Sequence, residues 1–460
     1  MRVDSALAPQ SLLPHIRRLF ELSAQKIHSL EKSWNRVDGA PVFTVAGQYR
    51  ARGWTQWTEG FQIGASLLQF DATDDTSFLE LGQSQLVHRM SPHLTHTGVH
   101  DHGFNNVSTY GALWRFARER RIDCEPWRMR FCELALKVSG AVQASRWTPL
   151  PDGGFICSFN GSHSLFVDTI RSLRAVALAH RFGQPLLGEQ DASINLLDRL
   201  LQHARATAKY NVYYGGGRDL YDIRGRVAHE SMFNVASGTY RGPSTQQGYS
   251  PFSTWTRGLA WAMLGFAEQT EFLETIPDEQ LASSGGRAGI DEWMLEAARA
   301  TCDFYIDRAT AADGIPYWDT GAPGLDALGN WRESPADPFN DREPVDSSAA
   351  AIAAQGLLRL GRVLSRRGQE GSRYWNAGLQ VVRTLLDDPY LSTSANHQGL
   401  LLHSVYHRPN GWDHIPEGSR IPRGESSQWG DYHLREVALY VQRCANDDPY
   451  LAFFGPDHDE

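Results

Sequence analysis

"TQQGYSPFSTWTRGLAWAMLGF", residues 245–266, predicts a helix whose first turn is unsuited to a core. Ser253 and Thr254 stand where an N-cap belongs, and an apolar stripe follows them. The start of this helix also carries polar and aromatic side chains, with a guanidinium between two indoles: Gln247, Trp255, Arg257 and Trp261. We therefore predict a buried helix whose N-terminus faces something other than the core.

Helical periodicity extends from this stretch over most of the chain, and pattern counting gives about twelve helices. The amphipathic stretches are 11–31, 57–71, 77–92, 101–120, 125–145, 164–182, 189–208, 254–273, 289–310, 346–365, 371–387 and 430–445. Strand-like runs are few and short, and suit hairpins beside a helical body: PVFTV near residue 43, GGFICSF near 155, NVYYGG near 212 and GLLLHSVYH near 403.

No linker rich in proline, glycine or serine divides the chain, so we predict one all-α domain over residues 1–460. Helical pairs closed into a ring fit this pattern, and an open solenoid is the rival, although no fixed-period repeat is visible. The connections 209–253 and 311–345 are too long for plain links, and we expect them to form pocket walls.

Composition excludes several classes of protein. The chain has 460 residues with 41% hydrophobic and 21% charged residues, which is typical of a globular protein. A formal charge of -9 argues against a nucleic-acid partner. The five cysteines show no CxxC spacing, so we expect reduced thiols. With neither a signal peptide nor a membrane span in the pattern, the expectation is a cytoplasmic protein that does not bind a membrane.

Two carboxylates stand at predicted helix starts. Asp101, in HDHGF at 100–104, has an N-cap or first-turn position, and the alternative is that it is only a cap. Asp168 lies among apolar neighbours, which should raise its pKa and suit a general acid; the alternative is a solvent-facing or loop-capping carboxylate. Three nearby histidines make zinc imaginable, but no HExxH spacing supports it, so we predict no metal: His96, His100 and His102.

Polar or aromatic helix starts recur at residues 57, 101, 168, 255, 346 and 430. In a ring of helical pairs the inner helices run the same way, so these first turns should line one mouth. His229, in the loop before the quoted helix, either orients a substrate hydroxyl or holds the loop together. Asp346, Ser347 and Ser348 cap an alanine-rich helix, and such a helix start also suits a bound carboxylate.

These motifs resemble the unsaturated glucuronyl hydrolases of glycoside hydrolase family 88 and their relatives in family 105. The matching pieces follow the family's order over roughly residues 54–443: WTEGF at 57–61, HDHGF at 100–104, the Asp168 helix, His229, QGY…STWTRGLAW at 247–261, DSSAAAIA at 346–353 and GDY at 430–432.

The resemblance implies an (α/α)6 barrel that needs neither metal nor organic cofactor. It implies a glycoside hydrolase that releases a 4,5-unsaturated uronic acid from lyase-generated oligosaccharides by hydrating the C4=C5 vinyl ether. Asp168 matches the acid/base of the family and Asp101 its second carboxylate. The substrate-binding set that it implies is Trp57, His100, His229, Gln247, Trp255, Arg257, Trp261 and Ser347. The partner is then a small anionic oligosaccharide, and the protein a monomer or a homodimer.

Arg171, one turn after Asp168, departs from the family pattern, and two roles are open to it: pairing with Asp168, which would lower the pKa of that carboxyl, or facing another group of the substrate. Two alternatives therefore stay open. One is a glycosidase on the same barrel that cleaves saturated uronides or another sugar through the carboxylate pair. The other is a sugar-binding barrel without activity, in which Arg171 neutralises Asp168.

Overall fold

The computed structural model describes residues 1–52 and 55–456. Gly53, Trp54 and residues 457–460 lie outside the described residues. They belong to the predicted domain 1–460, which stays a prediction, and Trp54 is also the start of the resemblance. The α-helices are α1 Pro9–Ser33, α2 Glu59–Thr73, α3 Thr76–Arg89, α4 Ser91–Leu94, α5 His102–Asn105, α6 Ala112–Arg118, α7 Pro126–Ser145, α8 Thr169–Ser172, α9 Arg174–Arg181, α10 Leu196–Tyr210, α11 Thr256–Glu274, α12 Asp278–Leu281, α13 Gly286–Phe304, α14 Ser347–Arg366, α15 Ser372–Leu385 and α16 Gln428–Asn446.

An inner ring of helices closes on itself. Helix α11 packs on α14, α14 on α16, and α16 on α2. Helix α2 contacts the segment formed by α5, a π-helical turn and α6. Helix α5 contacts α8, and α8 contacts α11, which closes the ring. Outside this ring lie α1, α3, α7, α10, α13 and α15, each packed against an inner helix. Over the described residues this is an (α/α)6 barrel, as the sequence predicted.

The inner helices are those that the sequence makes apolar on every side. In α11 all residues from Thr256 to Leu273 are buried, as expected for a helix surrounded by others. Helix α14 is buried over most of its length, and its alanines let α11 and α15 approach closely. As predicted, Asp346 caps α14, accepting from the backbone N–H groups of Ser348 at 3.1 Å and Ala349 at 3.4 Å.

Short strands lie in the connections between helices. They are β1 Pro41–Val45, β2 Gln48–Ala51, β3 Trp147–Leu150, β4 Gly153–Ile156, β5 Ser164–Phe166, β6 Leu186–Leu187, β7 Ser193–Ile194, β8 Glu230–Phe233 and β9 Tyr240–Ser244. Antiparallel pairs β1–β2 and β3–β4 confirm the hairpins predicted near residues 43 and 155, and β5, β8 and β9 form a three-stranded sheet. The runs near 212 and 403 form only isolated bridges.

Three local predictions were wrong. The predicted helix 164–182 begins with β5, because Ser164–Phe166 pair with Met232–Glu230 far along the chain. The helix predicted from residue 189 begins at Leu196. The predicted caps of α11 do not cap it: the hydroxyl of Thr254 accepts from Val227 N at 3.2 Å, and that of Ser253 bonds Ser250 O at 3.2 Å.

The C-terminal ends of the inner helices are closed by the last described segment. Leu451, Phe453 and Phe454 are buried there, and the Leu451 carbonyl accepts from Arg359 at 2.9 Å. No helix of the described residues is long and apolar enough to cross a membrane. All five cysteines lie in the described ranges and carry free thiols.

Candidate active site

A cavity of about 240 Å³ opens at the N-terminal ends of the inner helices. This is below the range of about 300–1,000 Å³ for drug-sized ligands, so the cavity suits one sugar ring better than several. Seven of the residues predicted for the site line it: Trp57, Asp101, Asp168, Gln247, Trp255, Arg257 and Trp261. The shared mouth predicted for the helix starts is therefore present at 57, 101, 168 and 255, whereas 346 and 430 do not line the cavity.

The two carboxylates meet at one imidazole. His100 Nε2 lies 3.4 Å from Asp168 Oδ1 and 3.8 Å from Asp101 Oδ1. Asp101 holds the N-cap position of α5 and Asp168 that of α8, but neither side chain makes a capping bond. Both carboxylates are therefore free of capping bonds, lie near His100 and line the cavity. This does not support the interpretation of Asp101 as only a cap.

The HDHGF segment is clamped to α8 through its backbone. The hydroxyl of Ser172 donates to His100 O at 2.6 Å and accepts from Gly103 N at 2.9 Å, and Gln143 donates to His100 O at 2.9 Å. A Cβ on Gly103 would lie 2.0 Å from Ser172 O, so only glycine permits this approach. Gly103 thus lets the segment that carries Asp101 approach α8, the helix that follows Asp168.

His102, by contrast, serves the fold. Its Nδ1 bonds Ser139 Oγ at 3.0 Å and its Nε2 bonds His96 O at 3.1 Å. Burial lowers the pKa of His102 to about 4, so the ring is neutral at neutral pH. Among the described residues, no group of three or more His, Cys, Asp or Glu side chains is arranged to hold a metal ion.

Arg171 does not pair with Asp168, so the first of its two predicted roles is wrong. It turns into the barrel, where its guanidinium lies 2.9 Å from Glu268 Oε2 and 2.9 Å from Glu436 Oε2. The side chain is fully buried. The arrangement expected for an inactive barrel, an Asp168 neutralised by Arg171, is therefore absent.

The pKa directions of the two carboxylates are opposite. Burial raises the pKa of Asp101, and the nearby Asp168 charge adds to this. Burial also acts to raise the pKa of Asp168, but the charge of His100 outweighs it and the net shift is downward. The raised pKa predicted for Asp168 was thus wrong for the free protein, because the prediction counted its apolar neighbours and missed His100.

His100 is the charge partner of both carboxylates. Burial acts to lower its pKa, but the charges of Asp101 and Asp168 outweigh burial and raise it. The side chain is only 1% exposed. The ring packs on Phe159 and Phe166, with centroids at 5.8 and 5.6 Å. His100 therefore stands behind the cavity and is not among the residues that line it.

Arg257 lies between two indoles, but the second is Trp429 and not Trp261. The guanidinium is 4.6 Å from the Trp255 ring and 4.7 Å from the Trp429 ring. Its two terminal nitrogens bond four acceptors in three parts of the chain: Asp346 Oδ2 at 3.2 Å, Gln247 Oε1 at 2.9 Å, Tyr406 O at 2.7 Å and the neighbouring Val405 O. Arg257 therefore ties the cavity walls together, which explains a cation at the start of an apolar helix.

His229 and Ser347 lie outside the cavity lining. His229 Nδ1 accepts from Gln246 N at 3.1 Å, its ring packs on Trp255, and burial lowers its pKa to about 4. Its Nε2 bonds no described residue, so the neutral ring keeps one N–H to donate. The hydroxyl of Ser347 bonds Leu402 O at 2.6 Å and so fastens a loop instead of facing the cavity.

Comparison with known proteins finds unsaturated uronyl hydrolases. A scan against models of known protein families found no match. An unsaturated glucuronyl hydrolase of Bacillus sp. (strain GL1) is 26% identical over 397 residues, which cover 85% of this chain and 87% of that protein. An unsaturated chondroitin disaccharide hydrolase of Streptococcus pyogenes serotype M1 is 23% identical over 447 residues, covering 95% and 92%. The chain is thus similar to unsaturated glucuronyl hydrolases over most of its length.

Solved structures agree in fold. The crystal structure of the unsaturated glucuronyl hydrolase from Bacillus sp. GL1 superposes with a TM-score of 0.69 at 22% identity, covering 92% of this chain and 95% of that one. The enzyme from Streptococcus agalactiae superposes with a TM-score of 0.71 at 18% identity, covering 98% of each chain. The barrel of the unsaturated glucuronyl hydrolase family thus extends over nearly the whole chain.

Sequence reasoning missed one wall of the cavity. Tyr406, His407, Asn410 and Trp412 line it from the connection before α16, part of which was predicted as a strand. Asp413 fixes this wall by accepting from the backbone N–H groups of Tyr406 at 2.5 Å and His407 at 3.0 Å. The available signal was local: a tryptophan followed by aspartate in a long polar connection, where aromatic residues have no core to fill. Thr55, Phe159 and Gln246 complete the lining.

Proposed function

We propose that this chain is a glycoside hydrolase that releases a 4,5-unsaturated uronic acid from lyase-generated oligosaccharides by hydrating the C4=C5 vinyl ether. The observation that carries the proposal is the joining of Asp101 and Asp168 at one imidazole, on the wall of a cavity sized for one sugar. The family supports the same activity, since relatives are named for unsaturated glucuronyl and unsaturated chondroitin disaccharide substrates.

In the proposed reaction Asp168 protonates C4 of the unsaturated sugar. Oxocarbenium character then develops at C5, where water adds and returns a proton to Asp168. The resulting C5 hemiketal opens to a ketone, which breaks the bond between C5 and the ring oxygen. C1 is then an open-chain hemiacetal that gives up the rest of the oligosaccharide as an alcohol, so the sugar leaves as a 4-deoxy-5-keto uronic acid. Asp101 lies next to this acid and supplies the second carboxylate of the site. One acid acting at carbon suffices for this chemistry.

Ordinary glycoside hydrolysis is the second candidate. Paired carboxylates of glycosidases flank the scissile bond, about 5–5.5 Å apart for retention or 6.5–9.5 Å apart for inversion. Here both carboxylates lie near the same His100 nitrogen, which does not by itself set their separation. We place cleavage of saturated uronides second because the relatives are named for unsaturated substrates.

Gln247 is the proposed ligand of the uronate carboxylate or a neighbouring hydroxyl. Its Oε1 accepts from Arg257 at 2.9 Å, which orients the amide and leaves its NH2 group for the substrate. Arg257 acts in this proposal by positioning Gln247, because its own terminal nitrogens already bond four acceptors. Trp57, Trp255 and Trp261 offer ring faces to the sugar.

The substrate class is a small anionic oligosaccharide that begins with the unsaturated uronate. In one solved relative, a Streptococcus agalactiae mutant, the bound molecule is dGlcA-GalNAc6S. Nucleic acid and membrane play no part in the proposal, and neither metal nor cofactor is required. A monomeric or homodimeric state and a cytoplasmic location stay predictions, as do the roles of His229 and Ser347 in binding.

The test incubates the protein with a panel of lyase-generated unsaturated disaccharides. Loss of the ultraviolet absorbance of the C4=C5 bond measures the reaction. Wild type should remove the absorbance, and Asp168→Asn should lower the rate by at least about 10²-fold, because the amide cannot give up a proton. Asp152→Asn, which changes an exposed carboxylate paired with Lys209, is the matched control and should keep full activity. A wild type that consumes none of the panel, or an active Asp168→Asn, contradicts the proposal.

A further inference from the structure

His100 is a buried ionisable group between two carboxylates, and the reaction as described does not use it. Its side chain is 1% exposed, and its Nε2 lies 3.4 Å from Asp168 and 3.8 Å from Asp101. Its Nδ1 bonds none of the described residues, so the ring is held by its two carboxylate partners at Nε2 and by packing, not by a hydrogen bond to the fold. Phe159 and Phe166 pack on it and keep the surroundings apolar.

On the basis of the proposed hydration reaction, we propose that His100 is a positioning residue that stores the catalytic proton. In the free enzyme Nε2 carries the proton, and on substrate binding it passes to Asp168 Oδ1, which lies beside it. Asp168 then delivers a proton to C4 of the unsaturated sugar. Asp101 stays beside the ring throughout and holds it in this position.

The neighbouring histidines show why His100 alone can hold this proton. His102, His203 and His229 are as deeply buried, and burial lowers their pKa values to about 4, about 3 and about 4. Burial acts on His100 too, but the two carboxylates outweigh it and its pKa is raised. The difference lies in the partners, since only His100 contacts two carboxylates at ion-pair distance.

The titratable groups around His100 come from several elements. Asp101 precedes α5, Asp168 precedes α8, and two neutral histidines complete the set, His203 on α10 and His229 beside β8. Arg146 after α7 is a cation that also acts on His100, and its guanidinium is bound by the carbonyl groups of Cys157 at 3.1 Å, Ser158 at 2.5 Å and Thr97. Arg146 acts against a proton on His100, and the two carboxylates act in its favour.

The proton balance closes without a co-reactant. When Nε2 gives its proton to Asp168, the imidazole becomes neutral and the carboxylate becomes a carboxylic acid. Asp168 loses this proton to C4 and regains one from the water that adds to C5. After product release the proton returns to Nε2. Substrate binding drives the first transfer, because an anionic sugar that displaces water disfavours the charged Asp168.

The first experiment compares His100→Gln with the matched control His102→Gln. The two histidines belong to the same HDHGF motif and are equally buried. In His100→Gln we expect kcat to fall by about 10²-fold with little change in KM, because the acid loses its proton supply. The alkaline limb of the kcat/KM profile should also move to lower pH by about one unit, since only carboxyls can then hold the proton.

His102→Gln should leave the alkaline limb in place, whatever it does to stability, because that ring bonds Ser139 and a carbonyl. A merely structural role of His100 would lower activity at every pH alike. An unchanged alkaline limb in a folded His100→Gln variant therefore overturns the proposal.

The second experiment needs no turnover and no His100 variant. Histidine-labelled wild type is titrated by NMR, and the His100 signal should titrate above the usual value of about 6.5. Asp101→Asn and Asp168→Asn should each lower this midpoint. A midpoint at or below the usual value in wild type overturns the proposal. The proposed function fails by a different result, namely a wild type that consumes no unsaturated disaccharide.

Discussion

At Arg257 one side chain explains why the start of an apolar helix carries a planar cation. The guanidinium lies between Trp255 and Trp429 and joins four acceptors from three parts of the chain. Sequence reasoning recognised that this position was not core, and it named the residue. It assigned the wrong indole partner, because Trp429 comes from α16, more than a hundred residues away.

Arg257→Lys should lower kcat/KM by about 10- to 100-fold, mainly through KM. A lysine ammonium keeps the charge but cannot bond four acceptors in a plane, so Gln247 and the Tyr406 wall lose their positions. The measurement is steady-state kinetics on an unsaturated disaccharide. Arg224→Lys, whose partners Glu296 and Asp303 lie on an exposed face, is the control and should match wild type. Equal kinetics for both variants would contradict the assigned role.

The pKa of Asp168 shows what a single sequence cannot give at the residue scale. Its apolar neighbours in sequence indicated a raised pKa, and burial does act in that direction. The deciding charge belongs to His100, which precedes it by 68 positions and meets it only in the folded barrel. The candidate residues could be named from motifs, whereas their electrostatics depend on contacts between elements.

At the scale of elements, long helices were predictable and short elements were not. Helices α11, α14 and α15 begin within about two residues of their predicted starts, because an apolar stripe over several turns is a strong local signal. The run 164–182 failed because Ser164–Phe166 pair with β8, and pairing across the chain leaves no local signal. The wall at Tyr406–Trp412 was missed for a different reason: its aromatic residues are visible in the sequence, but their place over the cavity depends on contacts such as that of Arg257 with Tyr406 O.

Close packing between inner helices predicts the effect of two glycine substitutions. Gly265→Ala in α11 should lower the free energy of unfolding by about 1–3 kcal/mol, because its Cβ would lie 2.6 Å from Ile170 and 2.9 Å from Arg171 N. Gly289→Ala in α13 meets nothing within 4 Å and should raise stability by about 0.5–1 kcal/mol. Urea unfolding monitored by circular dichroism measures both. Similar shifts in the two variants would argue against the packing at Gly265.

At the scale of the whole molecule, the ring explains how weak local signals combine. Each polar helix start had an ordinary structural reading, but parallel inner helices bring four of them to one cavity. The interior of the barrel holds buried ion pairs, including Arg171 with Glu268 and Glu436. These ion pairs engage Arg171 away from Asp168, so the buried charges and the cavity are separate parts of the barrel.

The proposed reaction protonates C4 and then hydrates C5. Turnover of an unsaturated disaccharide in D2O, with the released sugar analysed by NMR, follows both steps. We expect deuterium at C4 of the released uronic acid with wild type, and release at least about 10²-fold slower with Asp168→Asn. Release of the sugar with no deuterium at C4 would overturn the proposed reaction and indicate hydrolysis of an ordinary glycosidic bond.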